Sequence, residues 1–164
     1  MRGLAAPGRE ESDMADYELL VAQIRETVQA EPWYVPALSN VSALLMETLP
    51  DLNWAGFYIL RGAQLVVGPF QGKPACIHIP LGKGVCGTAF QKDEPQMVPD
   101  VHAFPGHIAC DSASNSEMVI PLHADGEPVA VLDLDSPLLN RFTKEDAEGL
   151  LQAAGAIEQL ISWE

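Results

Sequence analysis

Positive charge is the scarcest feature of this sequence. Nine Lys and Arg stand against 23 Asp and Glu in 164 residues, a formal charge of −14, and a field of that sign repels phosphate backbones and anionic lipid surfaces. Nucleic-acid and membrane-surface roles are therefore disfavoured. No apolar run reaches the roughly 18 residues that span a bilayer, and the opening MRGLAAPGREESDMADYE lacks the apolar stretch of a secretory signal. A cytoplasmic protein is the expectation. Cysteine is scarce as well: three residues, an odd number with no C-x-x-C pair, do not make the disulfide framework of a small secreted domain. Any disulfide here is expected to be transient and chemical. The pattern G-x-x-x-x-G-K-[ST] is missing too, which removes nucleotide triphosphate chemistry from the glycines of GKGVCG.

What is present is a core. With 48% hydrophobic residues, a chain of this size buries about 70% of the surface its unfolded form exposes and needs neither metal nor disulfide to fold. Residues 1–13 mix Gly, Pro, Arg and Glu without period and read as a disordered tail, with Met14 a candidate start; residues 14–164 form one domain. Tyr17, Leu20, Val21, Ile24 and Val28 fall on one helical face, and Ala37, Leu38, Val41, Leu44 and Leu45 on another between Pro36 and Pro50. NWAGFYIL and GAQLVVGPF pair as a hairpin, ACIHIP (75–80) reads as a third strand, and a short helix ends before Pro95. Residues 117–122 and 128–135 form a second hairpin across an Asp125-Gly126 turn. TKED then opens a last helix carrying Ala147, Leu150, Leu151, Ala154, Ile157 and Ile161 on one face. The sum is an α+β domain: a central, mainly antiparallel sheet with terminal helices on one face and ligand-covering loops on the other.

Candidate chemistry concentrates in the second half. The segment DVHAFPGHIACDSASNSE (100–117) has no regular period, and its length suits a functional loop, with an ordinary solvated connection as the alternative on composition alone. Cys110 stands there among Asp111, Ser112 and Ser114, surroundings that suit reactivity better than core packing, whereas Cys76 on a strand and Cys86 in GKGVCG read first as small core residues, with resolving thiols as the alternative. His102, His107 and Cys110 are zinc-type ligands without zinc-type spacing, so no metal is expected. In VAVLDLDS the two-residue period points Asp133 and Asp135 to the same side, where two carboxylates either end in solvent or share a proton, and Glu117 on the neighbouring strand can converge on them. Acids beside a thiol suit a cationic or zwitterionic ligand.

NWAGFYIL, GKGVCGTA, GHIACDSASNSE and VAVLDLDSP with RFTKED resemble the free methionine-(R)-sulfoxide reductases, a GAF-domain family, over residues 17–161. The resemblance implies a GAF-like fold and thiol-dependent reduction of free L-methionine-(R)-sulfoxide with no cofactor beyond the thiols. It implies Cys110 as the nucleophile, passing through a sulfenic acid, and Cys76 as the favoured resolving thiol, with Cys86 able to pair as well. Glu117, Asp133 and Asp135 correspond to substrate-site acids, and Trp54 to an aromatic wall that would otherwise be core. Thioredoxin is the implied reductant, and a homodimer is an expected assembly. Two other readings stand beside it: a non-catalytic GAF sensor of an amino acid, in which the thiols would not react, and a zinc-dependent structural protein.

Overall fold

The computed structural model describes residues 9–108 and 110–164, with side chains from Tyr17 onward. Residues 1–8 of the expected tail lie outside the described residues. Residues 9–13, expected to belong to the same tail, are helical: α1 runs Arg9–Ala30. Once a docked helix exists from Tyr17, each further turn adds hydrogen bonds without a new nucleation cost. The rest follows in the order α2 (Tyr34–Thr48), β1 (Trp54–Arg61), β2 (Gln64–Gly72), β3 (His78–Pro80), α3 (Gly84–Lys92), β4 (Gln96–Val98), β5 (Ser116–Ala124), β6 (Glu127–Ser136) and α4 (Lys144–Leu160). Among the described residues no helix is long and apolar enough to cross a membrane.

The strands form one six-stranded sheet in the order β3-β2-β1-β6-β5-β4, with every neighbouring pair antiparallel. The β5–β6 hairpin turns through Asp125 and Gly126, whose φ values of 53° and 80° are those of a tight turn matched to strand twist. Antiparallel pairing lets the two sheet faces differ, and here they do. Ala55 and Phe57 of β1, Met118, Ile120 and Leu122 of β5, and Ala130, Leu132 and Leu134 of β6 share one face. Helices α2 and α4 lie on that face, and α1 packs across both of them. The helical stripes read from sequence are the buried ones, with Leu20, Ile24, Leu38, Val41, Leu150 and Ile157 fully enclosed. Leu151 departs from its stripe and is 45% exposed, because its position on α4 turns past the edge of the sheet. Thr143 and Asp146 make a reciprocal capping box that starts α4. Ile161 also leaves the helix, as its C-cap, and Ser162 then bridges to Trp33.

The opposite face carries Trp54, Tyr58, Val119 and Val131, roofed by Val85, Cys86, Ala89 and Phe90 of α3 together with Val101 and the flanking loops. A helix therefore shares with the loops the task of covering this face. The expected strand over residues 75–80 is shorter, its first three residues being irregular, so Cys76 sits just before β3 rather than on it. That segment is instead tied to β1 and β2 by Tyr58 Oη donating to the Cys76 carbonyl at 3.0 Å and by Val67 N–H donating to Ile77 O at 2.9 Å.

Candidate active site

Sheet register assembles the site. Glu117 on β5 stands opposite Asp135 on β6, which stands opposite Trp54 on β1. One step along, Val119, Asp133 and Gly56 form the next row. Because side chains alternate, both rows project onto the roofed face, so the acids that the two-residue period set on one side meet Glu117 and Trp54 there. Gly56 has a role in this placement: a Cβ on it would lie 2.3 Å from Phe70 Cβ. Its hydrogen lets β2 close in, and the rings of Phe70 and Tyr58 stack with Trp54 at 5.1 Å and 5.7 Å. The result is a fixed aromatic wall.

A pocket opens between this wall and the long loop after β4. The wall and floor are Trp54, Tyr58, Glu117, Asp133 and Asp135; Cys86 comes from α3, and Cys110 with Asp111 and Ser114 from the loop. All seven residues singled out from sequence belong to this neighbourhood: six line the pocket, and Cys76, beside the lining residue Ala75, is joined to Cys110 by a disulfide between residues 34 positions apart. Cys86 is a free, buried thiol. His102 Nε2 lies against Asn115 Oδ1 at 3.0 Å, and its ring meets that of His107 edge-on at 6.2 Å.

The loop is built rather than merely solvated. Val101 N–H donates to Asn115 O at 2.9 Å and Asn115 N–H to Ser136 O at 2.8 Å, fastening its two ends to each other and to β6. Near its middle, Gly84 N–H donates to Gly106 O at 3.2 Å. Asn53 Nδ2 donates to Asp111 Oδ2 and to Ser114 Oγ, both at 3.0 Å, holding the residues around Cys110 against the start of β1. Sequence reasoning missed Asn53 and Tyr58. Tyr58 was open to discovery, because it lies four residues after Trp54 and so on the same strand face; Asn53 had no comparable signal.

The electrostatics are dominated by dehydration. Burial, then repulsion from Asp133 and Asp135, pushes the Glu117 carboxyl well above the ordinary carboxylate range. Burial, with Asp133 and Asp111, does the same to Asp135. Asp133 is raised by burial to about 6, against the lowering effect of hydrogen bonds from Glu117 and Cys86. The three carboxyls titrate as one coupled cluster that holds protons above the ordinary carboxylate range, protons it can donate. Burial and the same acids raise the Cys86 thiol, and Sγ faces Glu117 Oε1 at 3.8 Å. Tyr58 is raised by burial and these charges and remains a phenol. His107 at the rim is lowered by burial and by His102, which favours its neutral form. Asp111 goes the other way: the Ala113 N–H bond, with Asn53 and Lys73, outweighs its burial and keeps it ionised.

Two buried polar atoms on the lining residues have no hydrogen-bond partner among the described residues, the donor Trp54 Nε1 and the acceptor Asp133 Oδ1. Buried polar atoms are nearly always paired, so an orphan donor and an orphan acceptor in one pocket mark places for a ligand's own acceptor and donor. The only thiol, carboxylate or imidazole set among the described residues close enough to share a metal ion is Cys86, Glu117 and Asp133.

A family model for the GAF domain matches residues 37–162, and the chain is a GAF domain whose pocket is furnished with cysteines and carboxyls. It is 52% identical over 132 residues to the free methionine-R-sulfoxide reductase of Escherichia coli (strain K12), covering 80% of each chain. Among solved structures it is similar to the free methionine-R-sulfoxide reductase from Neisseria meningitidis in complex with its substrate, with 40% identity, a TM-score of 0.87 and coverage of 97% of this chain and 95% of that one. The reduced form of fRMsr of Staphylococcus aureus gives 47% identity and a TM-score of 0.86 over 89% of this chain and 95% of that one. The chain belongs to the free methionine-R-sulfoxide reductase family of GAF-domain proteins.

Proposed function

We propose that this protein reduces free L-methionine-(R)-sulfoxide to methionine with its own thiols, regenerated by thioredoxin in the cytoplasm. The observation that carries the reading is the meeting, in one covered pocket, of Cys110, three buried or half-buried acids and Trp54. The acids suit a substrate that brings an ammonium group, Asp133 Oδ1 being the unpaired acceptor for it. Trp54 offers an apolar face to the methyl group and an unpaired N–H to an oxygen of the substrate. An amino group tied up in a peptide bond carries no positive charge, so the same acids act against protein-bound methionine sulfoxide.

In the proposed reaction the Cys110 thiol attacks the sulfoxide sulfur, and a protonated carboxyl, Glu117 or Asp135, gives its proton to the sulfoxide oxygen. The oxygen passes to Cys110 as a sulfenic acid, oxidising that sulfur, and methionine leaves with its sulfur reduced. The Cys76 thiol then attacks the sulfenic sulfur, water departs, and a disulfide forms. The Cys76–Cys110 bond supports this pairing over one between Cys110 and Cys86. Two electrons and two protons from a dithiol reductant restore both thiols. Acids so near the sulfur oppose its ionisation, so attack and proton donation are coupled. Asp133→Asn and Glu117→Gln are therefore expected to shift the pH profile, and a profile left unchanged in both would argue against the coupling.

The deciding experiment measures methionine formed from free (R)- and (S)-methionine sulfoxide, and from the N-acetylated compound, in a thioredoxin recycling system. Turnover of the free (R) form alone, lost in Cys110→Ser, is expected. Tight binding without turnover would replace the enzyme with an amino-acid sensor.

A further inference from the structure

Cys86 is the thiol that the reaction above leaves unused. It is 4% exposed on the face of α3 turned toward the sheet, and its Sγ lies 3.8 Å from Glu117 Oε1. Its sulfur and one oxygen each from Glu117 and Asp133 all lie within 4.8 Å of one another, and all three residues are buried. A tetrahedral zinc ion with sulfur at about 2.3 Å and carboxylate oxygen at about 2.1 Å sets sulfur–oxygen separations of about 3.6 Å and oxygen–oxygen separations of about 3.4 Å. The Cys86–Glu117 distance already has that scale. A separate observation points to a ligand here: Asp133 is 4% exposed, lines the pocket and leaves Oδ1 without a hydrogen-bond partner among the described residues. An acceptor held out of water and unpaired is a place that a cation, whether an ammonium group or a metal ion, can fill.

We propose that Cys86, Glu117 and Asp133 form a binding site for a thiophilic divalent cation, zinc or cadmium, and that the ion excludes substrate. One thiolate with two carboxylates favours borderline and soft ions over magnesium or calcium, which take all-oxygen shells. Three protein ligands leave the fourth position facing the pocket, where water completes the shell. On binding, the ion displaces the protons held by the thiol and carboxyls and occupies the Asp133 acceptor that an ammonium group would use. The site is inhibitory. The metal site itself goes beyond the proposed turnover and does not depend on it, whereas its inhibitory effect rests on that function.

The test uses the full chain with Cys76 and Cys110 kept as their disulfide, so that Cys86 is the one thiol present, and titrates it with cadmium while recording thiolate-to-cadmium charge-transfer absorbance. One equivalent per chain is expected, displaced by zinc. Cys86→Ser, checked for folding by circular dichroism, is expected to abolish the band. Asp133→Asn is expected to weaken binding by at least the roughly 10- to 100-fold seen on losing an outer-sphere partner. Absence of the band in the native chain, or an equal band in folded Cys86→Ser, would overturn the site. If Cys86→Ser fails to fold, unchanged cadmium affinity in Asp133→Asn overturns it instead. Added free methionine sulfoxide is expected to raise the apparent cadmium dissociation constant. Loss of that competition alone, with the stoichiometric band intact, would count against the shared substrate position while leaving the metal site standing.

Discussion

The two faces of the sheet are made by the same strands and do opposite things. Phe57, Leu132 and Leu134 face helices and pack within an apolar cluster, whereas their chain neighbours Tyr58, Asp133 and Asp135 face α3 and the long loop and meet cysteines and acids. One face is organised to release free energy on burial, and the other holds polar groups out of water at a cost. A two-residue period allows both from one stretch of sequence, since each strand supplies the two faces alternately. The stability that lets Glu117 and Asp133 stay buried comes from the other side of the residues next to them.

The sharpest way to break this division is on the helical side. Phe57 is fully buried there, and Phe57→Ala is expected to cost about 3–5 kcal/mol through lost transfer energy and the cavity left behind. Chemical denaturation measures it directly. The pocket should lose occupancy only as the fold itself is lost, leaving the affinity of the folded fraction for methionine sulfoxide close to native.

The polar side should respond with the opposite sign. Asp133 has its carboxyl raised from 3.8 to about 6 in the fold, so the folded state holds that proton more tightly than the unfolded chain does. Its contribution favours the fold at low pH and declines as pH rises from 3.8 through about 6. Asp133→Asn is expected to remove that decline and to raise stability at neutral pH by about 1–3 kcal/mol, while weakening substrate binding. Urea denaturation at a series of pH values checks the slope. A variant less stable than the native chain at every pH would mean that the charge is part of the scaffold.

The roof can be moved without touching a reacting group. Gly87 sits beside Cys86 on α3, and a Cβ there would come within 2.6 Å of the Pro80 carbonyl oxygen, a backbone atom that cannot rotate away. Gly87→Ala is expected to cost about 1–3 kcal/mol by overpacking and to shift α3 from the sheet, lowering turnover more than Phe57→Ala does per folded molecule. Steady-state kinetics normalised to folded protein distinguish the two variants.

How far the sequence foretold this follows from the same alternation. The β5–β6 hairpin, its Asp125-Gly126 turn, the shared side of Asp133 and Asp135 and the Thr143 cap were legible because each depends on residues a few positions apart. Residues 96–98 were not legible as a strand, since three residues carry no period and β4 exists through pairing with β5. The same limit explains Cys76, whose alternating neighbourhood imitates a strand but whose backbone is claimed by Tyr58. Cys86 was read from its glycines, yet its importance comes from which face of α3 meets the sheet, a fact of packing. Asn53 was invisible because its partners lie about sixty residues away in the loop.

The smallest expected effect lies at the rim of both faces, where His123 joins α3, β5 and α4. Nδ1 contacts Glu158 Oε1 at 2.7 Å and Nε2 contacts Asp93 Oδ1 at 2.6 Å. Burial pulls the imidazole pKa down, but the bonds to Glu158 and Asp93 outweigh it, and the net shift is upward from 6.5. The stabilisation is then complete below 6.5, the unfolded value, and lost as pH rises through the higher folded value. Because Asp93 is 44% and Glu158 29% exposed, solvent screens the pairs, and His123→Gln is expected to cost no more than about 1 kcal/mol in acid and less in alkali. Denaturation of native and variant chains on both sides of neutrality measures the difference. An equal loss at both pH values would make His123 a packing residue, whereas a loss confined to acid would show that the protonated ring ties the pocket's roof, through Asp93 at the end of α3, to the helical side at α4.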